Sequence, residues 1–255
     1  MMFHIKPMFS GKLYPSSFDL LDKEVVNCFL HAEGPGELPS HRKPKRIFGI
    51  LSPYGNFQEI GHVCAWAYQQ AAECAFPYVF VILGRKSDTG FSTYLFSGWQ
   101  TPFGVVESDK EHGQRLLQAF PALKNETAPF DDCMEIETQL PFLQFAGRDK
   151  LQEIRIIPIL VNSRDYDACQ KLGEAIGELS EQCSLCVICS SNLFGEDVDG
   201  VLIEALKNID GKKMKEIAGM KNIGEIAVFF EAMKSMFAPK GRLLHYSSQH
   251  AAMVF

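Results

Sequence analysis

Cys183, Cys186 and Cys189 repeat as C-x2-C-x2-C, the spacing of part of an iron–sulfur or zinc site. Thiolate ligands must converge on one point. The run Leu185–Ser190 (LCVICS) reads as a buried strand, and alternation along a strand sends Cys186 and Cys189 to opposite faces. No second cysteine pair has matching spacing, so these three are read as structural. Of the seven histidines, none directly follows a predicted strand, and no H-E-x-x-H occurs. His62, at a helix start near a strand-end loop, is the one histidine considered for a site. A solvent-facing or helix-end role is its favoured reading. There is no G-x-S-x-G, no P-loop and no G-x-G-x-x-G. Gly34–Ser40 does not follow a strand, and Ser190 and Ser191 end a strand without an evident base. Glu135 and Glu137 read as first-turn helix charges favoured by the helix dipole. Gly173 and Gly177 read as close packing in a polar helix rather than a membrane motif.

The elements that would carry these residues follow from hydrophobic pattern. Arg46–Ser52, Tyr78–Gly84, Glu153–Val161 and Leu185–Ser190 are short apolar runs without polar alternation, as expected of strands covered on both faces. Pro158 inside the third suggests an edge or a bulge. Leu243–Tyr246 and the final AAMVF are plausible closing strands. Helical spacing marks Leu20–Leu30, with Ser17 or Asp19 as caps, and Gly61–Cys74, Glu107–Phe120, Met134–Phe145, Asp165–Leu179, Val198–Lys207 and Ile223–Met236. Strands alternate with helices, which predicts a three-layer α/β domain with a mixed or mostly parallel central sheet and helices on both faces. Ligands of such sheets bind at the C-terminal strand ends. That singles out the loops Ser52–Gln58, Gly84–Gly90 and Ser190–Gly195.

Composition narrows the function classes. The 255 residues carry 25 Lys+Arg against 31 Asp+Glu, a net charge of -6, which argues against nucleic acid as the main partner. The longest apolar runs fall far below the roughly 18 residues of a membrane span. Lys6 and Pro7 interrupt what would be the apolar stretch of a signal peptide, so no export signal is read. The eight cysteines, mostly in apolar context, then read as free thiols of a cytoplasmic protein, with no disulfide.

The order of segments resembles the Memo family, called AmmeMemoRadiSam system protein B in bacteria and archaea, itself similar in fold to class III extradiol ring-cleaving dioxygenases. The family's A-G-x-[WF]-Y-P is met by Ser10-Gly11-Lys12-Leu13-Tyr14-Pro15. Its A-P-H-A-G-Y, followed by Gly and an Ala-rich helix ending in A-Y, is met by Ser52-Pro53-Tyr54-Gly55-Asn56-Phe57, Gly61 and Ala65-Trp66-Ala67-Tyr68. Its L-G-P-S-H-H corresponds to Leu83-Gly84-Arg85-Lys86-Ser87-Asp88, and its T-P-L-G to Thr101-Pro102-Phe103-Gly104. Its H-S-x-E-x-H-L-P-[FY] corresponds to the nine residues Met134–Phe142. Its I-I-P-[IV]-L-V is Ile156–Val161 without mismatch, and its S-S-D is Ser190-Ser191-Asn192. The resemblance covers nearly the whole chain, so residues 1–255 are expected to form a single Memo-like α/β domain.

The resemblance implies a metal-type site using one histidine in each of the first two loops and a late cysteine. Here Tyr54 takes the first position and Ser87 the second, and the cysteine falls near Ala218. Met134 and Gln139 replace the helix histidines, and Asn192 the loop aspartate. Tyr, Ser and Ala lack the soft or borderline lone pairs that hold iron, copper or zinc. The segment after Phe194 is also shorter than in the family. The expectation is a remodelled pocket lined by Tyr54, Asn56, Arg85, Lys86, Ser87, Asp88, Glu137 and Asn192, with no metal and no cofactor. Arg85 and Lys86 are either anion ligands or solvated charges. The expected function is a binding or partner protein of an AmmeMemoRadiSam-type system, taking a protein partner or a small anionic ligand. The alternative is an enzyme with metal-independent or differently liganded chemistry in the same pocket. Sealing by packed side chains favours the first, and an open pocket where Asp88, Glu137 and His62 converge favours the second.

Overall fold

In the computed structural model, residues 4–87 and 90–255 are described; Asp88 lies outside the described residues. The centre is a ten-stranded mixed sheet. Its parallel heart is β7 (Arg155–Val161), β2 (Val79–Gly84), β8 (Leu185–Ser190) and β1 (Gly49–Ser52), side by side in that order. All four expected strands are present in one sheet, with β1, β2 and β7 starting later than the expected runs. β10 (His250–Val254) runs antiparallel to β1, and β9 (Arg242–Ser247) closes that edge.

Alternation within the four strands builds two cores. Leu51, Val81, Leu83, Ile157, Ile159, Val187 and Cys189 face one layer, formed by α3 (Lys110–Ala119), α6 (Tyr166–Leu179), α7 (Glu196–Asn208), α8 (Gly211–Met220) and α9 (Gly224–Ser235). Ile50, Phe80, Ile82, Ile156, Leu160, Cys186 and Ile188 face the other, formed by α1 (Phe18–Leu30), α2 (Phe57–Ala72), α4 (Met134–Glu137) and α5 (Leu140–Ala146). This is the three-layer α/β arrangement. Cys186 and Cys189 fall in different cores, and all eight cysteines are free. No helix among the described residues is long and apolar enough to cross a membrane.

Several local expectations are corrected. Pro158 makes neither a sheet edge nor a bulge. On the side of β7 away from β2, β5 (Gly104–Ser108) pairs only as far as Ile156, and β3 (Phe91–Thr93) takes over at Ile159. Pro158 sits in the gap between them, where its missing N–H costs no ladder bond. Glu107–Phe120 is not one helix, because β5 pairs with β4 (Trp99–Thr101) and β7 before Asp109 caps α3, accepting from the His112 N–H at 3.0 Å. Met134–Phe145 divides into α4 and α5 because Pro141 has no N–H for the Glu137 carbonyl. Ser17 occupies the start of α1 without a side-chain cap bond. The two-residue β6 (Lys124–Asn125), like β3, β4 and α8, carries no strong apolar signal in the sequence.

Candidate functional site

The four parallel strands end on one side of the sheet, and the loops after β1, β2 and β8 meet there. Asn192 couples two of them: its Oδ1 accepts from the Tyr54 N–H at 3.1 Å, and its Nδ2 donates to the Tyr54 carbonyl at 3.0 Å. Gln139, at the start of α5, donates from Nε2 to the Pro53 carbonyl at 2.8 Å and to Ser190 Oγ at 3.0 Å. Its Oε1 accepts from the Tyr68 hydroxyl at 3.0 Å, so every polar atom of this buried amide is engaged. Ser190 Oγ donates to the Glu135 carbonyl at 2.6 Å, fixing α4 over the strand ends. Gly84 permits that approach, since a Cβ there would stand 2.7 Å from the Cβ of Glu135.

The charged groups at this end also turn inward. Glu225, at the start of α9, is 1% exposed. Its Oε1 accepts from Ser191 Oγ at 2.8 Å and lies 3.7 Å from Arg85 Nε, while Oε2 is buried without a hydrogen-bond partner. Arg85 also donates from Nη1 to the Asn222 carbonyl and lies over the Phe194 ring at 5.2 Å. Burial holds the Glu225 carboxyl above the ordinary carboxylate range, outweighing the pull of Arg85 and the Ser191 bond. Burial does the same to Glu135, and it raises Tyr54 with help from Glu135 and against Arg85. Cys133 points Sγ at Glu135 Oε2, 3.5 Å away, and burial pushes this thiol well up. The arrangement knits three loops to the helices α4, α5 and α9.

A family model described as Memo-like protein matches residues 6–253. The chain belongs to the Memo family. It is 30% identical to a MEMO1 family protein of Methanopyrus kandleri over 261 residues, 95% of this chain and 91% of that one. It is 32% identical to a MEMO1 family protein of Methanobrevibacter smithii over 226 residues, 83% of this chain and 79% of that one. The crystal structure of an uncharacterized Escherichia coli K12 protein, JW3007, is similar in fold, with a TM-score of 0.57 at 12% identity over 82% of this chain and 99% of that one.

Within this Memo chain, the structure brings together Tyr54, Arg85 and Asn192 of the sequence candidates. It does not bring Glu137 to them. Glu137 sits beneath the N-terminal arm, where its carboxylate accepts from the Met8 N–H at 2.9 Å, the Phe9 N–H at 2.8 Å and the Tyr14 hydroxyl at 2.6 Å. Two of the Memo motifs, the Tyr14-Pro15 arm and the α4 segment, thus lock to each other. Asn56 caps α2, accepting from the Gln58 N–H at 3.0 Å, and lines a cleft of about 240 Å³ shared with Lys12, Tyr14 and Glu24. Lys86 neither floats in solvent nor stands ready for an anion. Its ammonium donates to the Pro129 and Asp132 carbonyls and pairs with the Asp132 carboxylate at 2.6 Å. Ser87 is exposed. His62 lies in the second turn of α2 rather than at a helix start, and its ring packs against His31 and His245 instead of joining this set. Sequence reasoning missed Glu225, Ser191, Cys133 and Glu135 as members of the site. Glu225 had one available signal: a carboxylate beginning the apolar run Ile226–Phe230, with no polar face to place it on.

Proposed function

We propose that this Memo-family chain is a binding or partner protein of an AmmeMemoRadiSam-type system, folded as one Memo-like domain over residues 1–255. Its strand-end site carries no iron, copper or zinc. The observation that carries the reading is Arg85 closed onto Glu225. The guanidinium and carboxylate that line the strand ends are spent on each other, on Asn222 and on Ser191. The donor chemistry agrees. A ligating phenol or thiol must first lose its proton, and burial raises both Tyr54 and Cys133. Among the described residues, no three His, Cys, Asp or Glu ligand atoms at the strand ends come within reach of one ion. The residues present do not fit the family's metal.

The second reading, an enzyme with metal-independent chemistry in the same place, draws on the unpartnered Glu225 Oε2, a buried carboxyl of raised pKa. Its burial stands against that reading, because no substrate reaches an acid 1% exposed without the loops parting. The test is elemental analysis of protein purified without chelators, beside a Tyr54→Phe variant, with affinity capture of the radical S-adenosylmethionine protein of the same system. Unchanged metal content on Tyr54→Phe and capture of that protein are expected. About one iron per chain lost in Tyr54→Phe would overturn the reading.

A further inference from the structure

On the α2 side of the sheet, at the edge that β9 closes, three elements bring ligand-type side chains together. Glu33 lies in the loop after α1, His62 on α2 and His245 on β9. One ligand atom from each lies within 4.8 Å of the other two. His62 Nε2 and Glu33 Oε2 are 3.5 Å apart. That is roughly the spacing of two ligands about 2.1 Å from a tetrahedral ion. The contact lacks hydrogen-bond geometry, and His62 Nε2 and His245 Nε2 are both buried without a hydrogen-bond partner. Two orphaned imidazole nitrogens in one place are unusual, since buried polar atoms are nearly always satisfied.

The surroundings hold these groups in position. Trp66 Nε1 donates to the Glu33 carbonyl at 2.9 Å, and the Trp66 indole lies nearly parallel to the His245 ring, 7° apart at 6.2 Å. His31 stacks on His62 at 4.9 Å, and its Nδ1 accepts from the Glu33 N–H at 3.1 Å. Such outer contacts fix ring orientation around metal sites. The Glu33 carboxylate is 61% exposed and free to swing onto an ion. Burial, with His31, His245 and His250 nearby and against the pull of Glu33, holds His62 below the ordinary histidine range.

We infer that Glu33, His62 and His245 bind one zinc-type divalent cation per chain, with water in the remaining position. Imidazole and carboxylate donors suit a borderline ion, and two histidines with one glutamate form a recognised zinc ligand set. The ion would tie β9 to α2 and to the loop after α1, three segments that meet here mainly through ring stacking.

The test is titration of the full-length, metal-free protein with zinc chloride and, in parallel, with cobalt chloride. The expected result is one equivalent bound per chain, visible cobalt absorption of a low-coordinate N/O site, and a rise in melting temperature with zinc. Glu33→Gln changes an exposed side chain and leaves the fold intact; it should weaken zinc binding at least tenfold. The His62→Ala/His245→Ala double variant should lose both the binding and the melting shift, whereas Tyr54→Phe should keep them. No uptake by the wild type at micromolar zinc, or uptake by both Glu33→Gln and the double variant equal to that of the wild type, would overturn the inference. Loss of zinc in Tyr54→Phe alone would instead count against the proposed strand-end reading.

Discussion

Asn192 grips Tyr54 with both ends of its amide, accepting from the backbone N–H and donating to the carbonyl of the same residue. The two residues are 138 positions apart, and the grip joins the β8 loop to the β1 loop as one more rung of a sheet would. Asn192→Asp keeps an acceptor for the N–H but sets a second oxygen against the Tyr54 carbonyl. The variant should lose about 1–3 kcal/mol, the cost of leaving a hydrogen-bonding group unsatisfied. Urea unfolding should show a lower midpoint at unchanged slope. An unshifted midpoint would mean that the grip does not hold in solution.

Glu225 sets a pH dependence whose direction is fixed by burial. Its folded carboxyl binds a proton more tightly than in the unfolded chain, where the ordinary value is 4.5. Stability from this group is therefore complete below about pH 4.5 and lost as pH rises through the raised folded value. Glu225→Gln removes the titration. The stability of wild type relative to Glu225→Gln should fall from pH 4.5 to pH 7.5, read by urea unfolding at several pH values. A gap that stays level or widens with pH would show that the carboxyl is not destabilised by burial.

Glu137 latches the N-terminal arm through two backbone N–H groups and the Tyr14 hydroxyl. Glu137→Ala should speed hydrogen exchange at Met8 and Phe9 by tenfold or more and expose the arm to protease, with about 2–3 kcal/mol lost overall. Tyr14→Phe removes one of the three bonds and should have a smaller effect. Unchanged protection of both amides in Glu137→Ala would refute the latch.

Gly173 lets α6 lie directly on α9. A Cβ there would stand 2.8 Å from the Val228 carbonyl oxygen and 2.9 Å from the Ala232 nitrogen. Both are backbone atoms and cannot rotate aside, so Gly173→Ala must push the helices apart. The expected cost is about 1–3 kcal/mol of overpacking, seen as a lower melting temperature. Unaltered or increased stability would show that the helix pair has slack.

Much of the scaffold was legible along the chain because it is written in local pattern. Leu185–Ser190 announces a strand by composition, and period-two alternation places Cys186 and Cys189 in separate cores, which disposes of the C-x2-C-x2-C ligand set. The close packing read at Gly173 from glycine spacing is likewise present, against α9. The short strands β3, β4 and β6 were not legible, because two or three residues carry no period and are strands only through their partners. Pro158 misled for the same reason, its tolerance resting on where β5 stops and β3 begins.

The sequence by itself determined the layered α/β fold, the four central strands and the ordered motifs that mark the Memo family. Burial pattern is a property of each segment, and motif order a property of the string. The destinations of side chains were decided only in three dimensions. Glu137 turned to the arm, Arg85 to Glu225, Lys86 to Asp132 and His62 to Glu33 and His245. Each of these partners lies far along the chain or across an element. Local pattern tells which face of a segment is covered, whereas only the sheet order, with β1 held between β8 and β10, settles what covers it.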